Sequence, residues 1–134
     1  MQETTQGAGR GRTVVVVEDN ERSRRLVRDL LELHRFRVFE ADTAEEGLEQ
    51  VRLARPDLVL LDIQLPGMDG VAALKALRAD PGTADLPIVA VTAYAMRGDE
   101  ERLLADGFDA YIAKPIDTRA FIPRLVALLD AHEC

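Results

Sequence analysis

Five short apolar runs, each followed by a longer amphipathic stretch, constrain this chain more than any other feature of its sequence. The first is four valines in a row, Val14 to Val17. A β-branched run without polar alternation reads as a strand buried on both faces, as in parallel sheets flanked by helices. The spacing predicts strands at 13–18, about 36–40, 57–62, about 87–92 and about 109–113. Between and after them it predicts helices at about 21–34, 43–54, 69–79, 97–106 and 117–131. Strands separated by helices pair in parallel through right-handed crossovers, which put helices on both faces of the sheet. The expected fold is an α/β doubly wound (βα)5 sandwich.

Within the helical stretches, Leu26, Val27, Leu30 and Leu31 recur at helical intervals, as do Ile122, Leu125, Val126 and Leu129, and more loosely Leu48, Val51 and Leu53. Asn20, Thr43, Asp69 and Asp117 stand where helix-capping oxygens are wanted, and Gly82 and Gly107 lie near helix exits. Pro123 falls inside the last helical pattern, which places it in the first turns or distorts the helix there.

A chain of 134 residues with 47% hydrophobic content fits one domain with a single core. Residues 1–12 are polar and glycine-rich, which marks a flexible leader before a folded unit at 13–132. No apolar run approaches the roughly 18 residues of a membrane helix, and no secretory signal is visible, so a soluble cytoplasmic protein without a membrane partner is expected. Cys134, the one cysteine, has no partner for an internal disulfide and receives no catalytic role. A net charge of −7 argues against nucleic-acid binding. The arginines at 22, 24, 25 and 28 read as a solvated helix face, with an acidic partner surface as the alternative. His34 and His132, near helix ends among charges, read as surface residues.

The unusual polar residues fall on strand tips. Glu18 and Asp19 close the first strand, Asp62 the third and Thr92 the fourth, while Lys114 follows the fifth. In open α/β sheets ligands gather outside these carboxyl ends, where the strand order reverses. Three carboxylates converging there repel one another unless a divalent cation joins them. Mg²⁺ suits such an oxygen-only site, completed by phosphate oxygens. A lysine supplies a point charge for an anion, and a threonine hydroxyl a hydrogen bond to a phosphoryl oxygen.

On the stretches VVVVEDN, PDLVLLDIQLPGMDG, PIVAVTAYA and GFDAYIAKPI, in this order, the chain resembles the receiver domains of two-component response regulators over about Thr13 to Asp130. The resemblance implies the flavodoxin-like strand order 2-1-3-4-5. It also implies that Asp62 accepts a phosphoryl group from a phosphohistidine on a histidine kinase or histidine phosphotransfer protein. Asp19 then matches a direct Mg²⁺ ligand, Glu18 its acidic neighbour, and Gln64 the position whose backbone carbonyl binds the metal. Thr92 and Lys114 match the residues that bind the phosphoryl oxygens. Gln64 and Tyr94 match the positions that tune hydrolysis, with Tyr94 either shielding the phosphoryl group or packing on the surface. Thr92 and Tyr111 match a switch pair, the aromatic filling space that the hydroxyl vacates.

The same resemblance implies a cis peptide before Pro115 and a target-binding face on the fourth helix, fifth strand and fifth helix, roughly Met96 to Ala127. It leaves open a homodimer linked to phosphorylation, and either a single-domain regulator of the DivK type or a receiver of a hybrid histidine kinase. The expected output is protein binding rather than turnover of an external substrate. Two alternatives compete with it. One is a phosphorylation-independent pseudo-receiver module, against which the intact site argues. The other is a Mg²⁺-dependent phosphatase, which would need an acid where Gln64 stands.

Overall fold

The computed structural model describes residues 9–64, 69–93 and 99–133. Strands and helices alternate as β1 (Thr13–Val17), α1 (Glu21–Leu33), β2 (Arg37–Ala41), α2 (Ala44–Ala54), β3 (Leu58–Asp62), α3 (Gly70–Ala79), β4 (Ile88–Thr92), α4 (Asp99–Asp106), β5 (Ala110–Ala113) and α5 (Phe121–Glu133). All neighbouring strands pair in parallel, in the order β2-β1-β3-β4-β5. The order reverses between β1 and β3, so the tips of these two strands flank the crevice where such sheets bind ligands.

Side-chain alternation divides the core into two layers. Val15, Val17, Val59, Leu61, Ile88 and Ala90 face α2, α3 and α4. Val14, Val16, Leu58, Leu60, Val89 and Val91 face α1 and α5. All of β3 and β4 is buried, which is why those runs lack the polar alternation of a one-sided sheet. Each fully buried valine or leucine contributes roughly 1.5–3 kcal/mol of hydrophobic stabilisation, anchoring the strand tips on a rigid base.

The caps follow the residue chemistry. Asn20, Thr43 and Asp69 accept the N–H groups of Ser23, Glu46 and Ala72 and start α1, α2 and α3. Asp117 behaves differently from its expected role. Its side chain accepts the Arg119 N–H and its carbonyl those of Ala120 and Phe121, forming a turn, so α5 begins at Phe121 rather than at 117. Pro123 is thereby third in the helix, within the first turn, where its missing N–H costs little. The looser spacing in α2 also has a reason: Val51 is buried, but Leu53 is 71% exposed.

Further contacts were not legible in the residue pattern. Gly9 and Gly11 donate their N–H groups to the carbonyls of His34 and Arg35, and Arg10 and Arg12 both reach Asp130 of α5. Residues 9–12 are therefore packed onto the domain ahead of Thr13, where a flexible leader was expected. His34 is half-buried as the cap residue of α1, whereas His132 is exposed as expected. Arg78 on α3 donates to the carbonyls of Gly107, Ala84 and Leu86 and to the Asp109 carboxylate, joining the segments that lead into β4 and β5.

Candidate functional site

Glu18, Asp62 and Lys114 reach the carboxyl edge of the sheet because each ends or directly follows a strand. Glu18 directly follows β1, and its N–H donates to Ala41 at the end of β2. Its buried carboxylate accepts the Asn20 N–H through Oε2 at 3.0 Å and lies 2.7 Å from Lys114 Nζ through Oε1. Asp62 is the last residue of β3, with its side chain only 4% exposed. Its Oδ1 accepts the Gln64 N–H at 2.9 Å, and its Oδ2 the Lys114 ammonium at 3.0 Å. Both oxygens of this carboxylate are thus oriented.

Lys114 reaches these acids because its own N–H is tied to the Thr92 carbonyl at 2.8 Å, setting it just beyond the β4 tip. The bond between Lys114 and Pro115 is cis, as the resemblance implied. Thr92 is buried and pairs in register with Ala113 of β5. Two residues earlier Ala90 pairs with Tyr111, so Thr92 and Tyr111 share a sheet face. Tyr111 is half-buried against the core layer under α2–α4.

Glu18, Asp19 and Asp62 each place a carboxylate oxygen within 4.8 Å of the others. Asp19 is exposed, while the other two are buried, so the cluster opens to solvent on one side. Burial pushes the Glu18 carboxyl above its ordinary value; the nearby Asp62 pushes the same way, against the opposing pull of Lys114 and Asn20. Burial lowers the Lys114 ammonium, but its hydrogen bonds to Glu18 and Asp62 outweigh that effect and leave its pKa raised. The ammonium is the charged partner that makes two buried acids tolerable. The all-oxygen set fits a hard divalent cation: one lysine leaves the three carboxylates short of positive charge, and the exposed side leaves room for water ligands.

Gly70 explains how α3 comes so close. A Cβ at this position would lie 2.6 Å from the Asp62 carbonyl oxygen and 2.7 Å from Ile63 Cα. The hydrogen atom of glycine lets the helix start against the backbone that carries Asp62, and the Gly70 N–H donates to Ile63 O at 3.0 Å. At Gly70 it is this close approach that requires glycine; Gly67 lies outside the described residues. So does Tyr94. Among the expected site residues, Glu18, Asp19, Asp62 and Lys114 converge, with Thr92 and Gln64 at the adjoining strand tips. Arg24 was missed: it donates to the Glu18 carbonyl at 2.9 Å, a contact six residues apart that helical spacing alone does not reveal.

The fold is an α/β domain with a topological switch point, and three acids and a lysine stand at the carboxyl edge where such sheets bind ligands. A family model for the response regulator receiver domain matches residues 14–126, and the chain belongs to this family of two-component signalling domains. The polar-differentiation response regulator DivK of Brucella anthropi is 42% identical over 118 residues, covering 88% of this chain and 96% of that protein. A crystal structure of a response regulator from Chloroflexus aurantiacus superposes with a TM-score of 0.84 at 28% identity, covering 90% of this chain and 98% of its own. The receiver domain of a sensor histidine kinase from Pseudomonas aeruginosa gives 0.80 at 30% identity with the same coverage; it carries a magnesium ion coordinated in its active-site cleft. Among the described residues no helix is long and apolar enough to cross a membrane.

Proposed function

We propose that this receiver domain accepts a phosphoryl group on Asp62 from a phosphohistidine of a histidine kinase or histidine phosphotransfer protein, in a Mg²⁺-dependent reaction, and thereby switches its binding to other proteins. The observation that carries the reading is the Lys114 ammonium bridging Glu18 and Asp62 at 2.7 and 3.0 Å. A carboxylate is a weak nucleophile, so the reaction depends on positioning and on neutralising the charge of the transferred group. The Gln64 N–H and Lys114 fix both Asp62 oxygens before the donor arrives. In the transfer, an Asp62 oxygen forms a bond to phosphorus as the phosphorus–nitrogen bond breaks. The imidazole nitrogen keeps the bonding pair and takes up a proton.

Glu18, Asp19, Asp62 and the backbone carbonyl of Gln64 would hold the Mg²⁺. When bound, it supplies neutralisation of the phosphoryl oxygens without a proton transfer. Lys114 turns from the Asp62 carboxylate towards the new phosphoryl oxygens, and the Thr92 hydroxyl donates to another. Tyr111, on the same sheet face as Thr92, then follows inwards and changes the surface of α4, β5 and α5. The domain acts in the cytoplasm on its own aspartate and turns over no external substrate. Intact-protein mass after incubation with acetyl phosphate tests the reading. One added phosphoryl group that requires both Mg²⁺ and Asp62, and is absent from Asp62→Asn, is expected. No adduct despite measured Mg²⁺ binding would favour a phosphorylation-independent binding module instead.

A further inference from the structure

The two peptide units that flank Glu18 are each held, the one before it by β2 and the one leading into Asp19 by α1. On one side the Glu18 N–H donates to Ala41 O of β2 at 2.9 Å. On the other, the Glu18 carbonyl accepts Arg24 Nη1 from α1, also at 2.9 Å. Arg24 is itself fixed twice: its backbone N–H donates to Asn20 O at 2.9 Å, and its Nε to Glu40 Oε1 at 3.2 Å. Glu40 precedes Ala41 in β2, and its second oxygen accepts Arg28 Nη1 at 3.2 Å. The Arg24 and Glu40 side chains are 20% and 30% exposed, so water competes only partly for this pair. A rigid, two-armed guanidinium can serve a carboxylate and a carbonyl at once, which an ammonium cannot do with the same geometry.

We propose that Arg24, braced by Glu40, is a positioning residue for the metal seat. By fixing the Glu18 carbonyl it fixes the rotation of the following peptide, and therefore the direction in which Asp19 leaves the loop. This inference rests on the reading of Glu18, Asp19 and Asp62 as cation ligands. Outer partners that orient metal ligands typically matter about 10–100-fold in metal affinity. The sign of the effect separates positioning from simple electrostatics. Deleting a positive charge near a cation site strengthens cation binding by Coulomb's law, whereas deleting a positioning group weakens it.

Calorimetric titration of Mg²⁺ into the full chain tests this, alongside melting of each metal-free variant. Arg24→Met should raise the Mg²⁺ Kd about tenfold or more. Arg24→Lys, which keeps the charge but loses the fork, should recover only part of it. Glu40→Gln should weaken binding in the wild-type background but add little to Arg24→Met. Arg25→Met, an exposed charge deletion on the same helix, should leave the Kd unchanged or slightly lower. An unchanged or lower Kd in folded Arg24→Met overturns the inference while leaving the metal seat intact, provided that wild type binds and Asp19→Asn does not. Should Arg24→Met not fold, a wild-type Kd in Glu40→Gln overturns it equally. Failure of the wild type to take up Mg²⁺ overturns the seat itself, and the inference with it.

Discussion

The Lys114 ammonium stands 3.0 Å from Asp62 Oδ2 and 2.7 Å from Glu18 Oε1, so a single cation from the tip of β5 holds the acids of β1 and β3 together. Neither acid has a second cation among the contacts described for it. The lysine is therefore a structural counter-ion before it can be a partner for a phosphoryl group, and the two duties give separable outcomes.

Lys114→Met should cost about 1–3 kcal/mol of metal-free stability near pH 8, because two buried carboxylates lose a charged donor. The loss should shrink towards pH 5. Burial and Asp62 already raise the Glu18 carboxyl above its ordinary value of 4.5, so its native form binds a proton more tightly than its unfolded form. The stability linked to that proton is present below the unfolded value and disappears as pH rises through the folded one. Removing the ammonium moves the folded value further up. Urea denaturation of both proteins at the two pH values checks the prediction, and an equal loss at both would refute it.

Mg²⁺ should stabilise the wild-type protein more at pH 8 than at pH 5, since burial raises the Glu18 carboxyl and the proton therefore competes increasingly with the metal as pH falls. At free metal about 100 times Kd the gain is about 2.7 kcal/mol. Thermal melts across a Mg²⁺ series at each pH measure it. Asp19→Asn should show little gain at either pH.

Gly70→Ala should destabilise the fold by about 1–3 kcal/mol, the usual cost of forcing an extra methyl into a packed contact. Because the clash is with the Asp62 carbonyl and Ile63 Cα, phosphorylation by acetyl phosphate should also slow at temperatures where the variant remains folded. Ala79→Gly at the other end of α3 serves as the control: destabilised, with an unchanged labelling rate.

Arg78→Met should cost about 1–3 kcal/mol by leaving the carbonyls of Gly107, Ala84 and Leu86 without their shared donor. The clamp lies at the amino-terminal edge of the sheet, beside the segments entering β4 and β5, so Mg²⁺ affinity should be unchanged. Denaturation and metal titration of the same sample separate the two effects.

The strands were legible because buried parallel β-structure writes itself as uninterrupted apolar runs, and the tips because acids next to such runs need a reason. Asp117 misled because one capping residue can start either a helix or a turn, and the choice was made by Ala120 and Phe121 donating to its carbonyl. In the arginine cluster on α1, Arg22 and Arg25 are exposed as a solvated face requires, whereas Arg24 and Arg28 misled in another way. A helix face of like charges looks solvated until the neighbouring strand is known, and only folding brings Glu40 beside Arg24 and Arg28. Residues 9–12 looked unstructured because glycine-rich composition carries no sign of backbone hydrogen bonds to His34 and Arg35.

The pairing of Arg10 and Arg12 with Asp130 also fixes the polarity of attachment. It draws the segment before β1 and the last turns of α5 to the amino-terminal edge of the sheet, while the acids stand at the opposite pole. A five-residue strand separates the poles by about 17 Å. A tether that left directly from Gly9 or from the end of α5 would start from the pole remote from Asp62. Covalent neighbours and phosphoryl donors would then approach from different directions, and a short linker could join the two ends without crossing the donor's path.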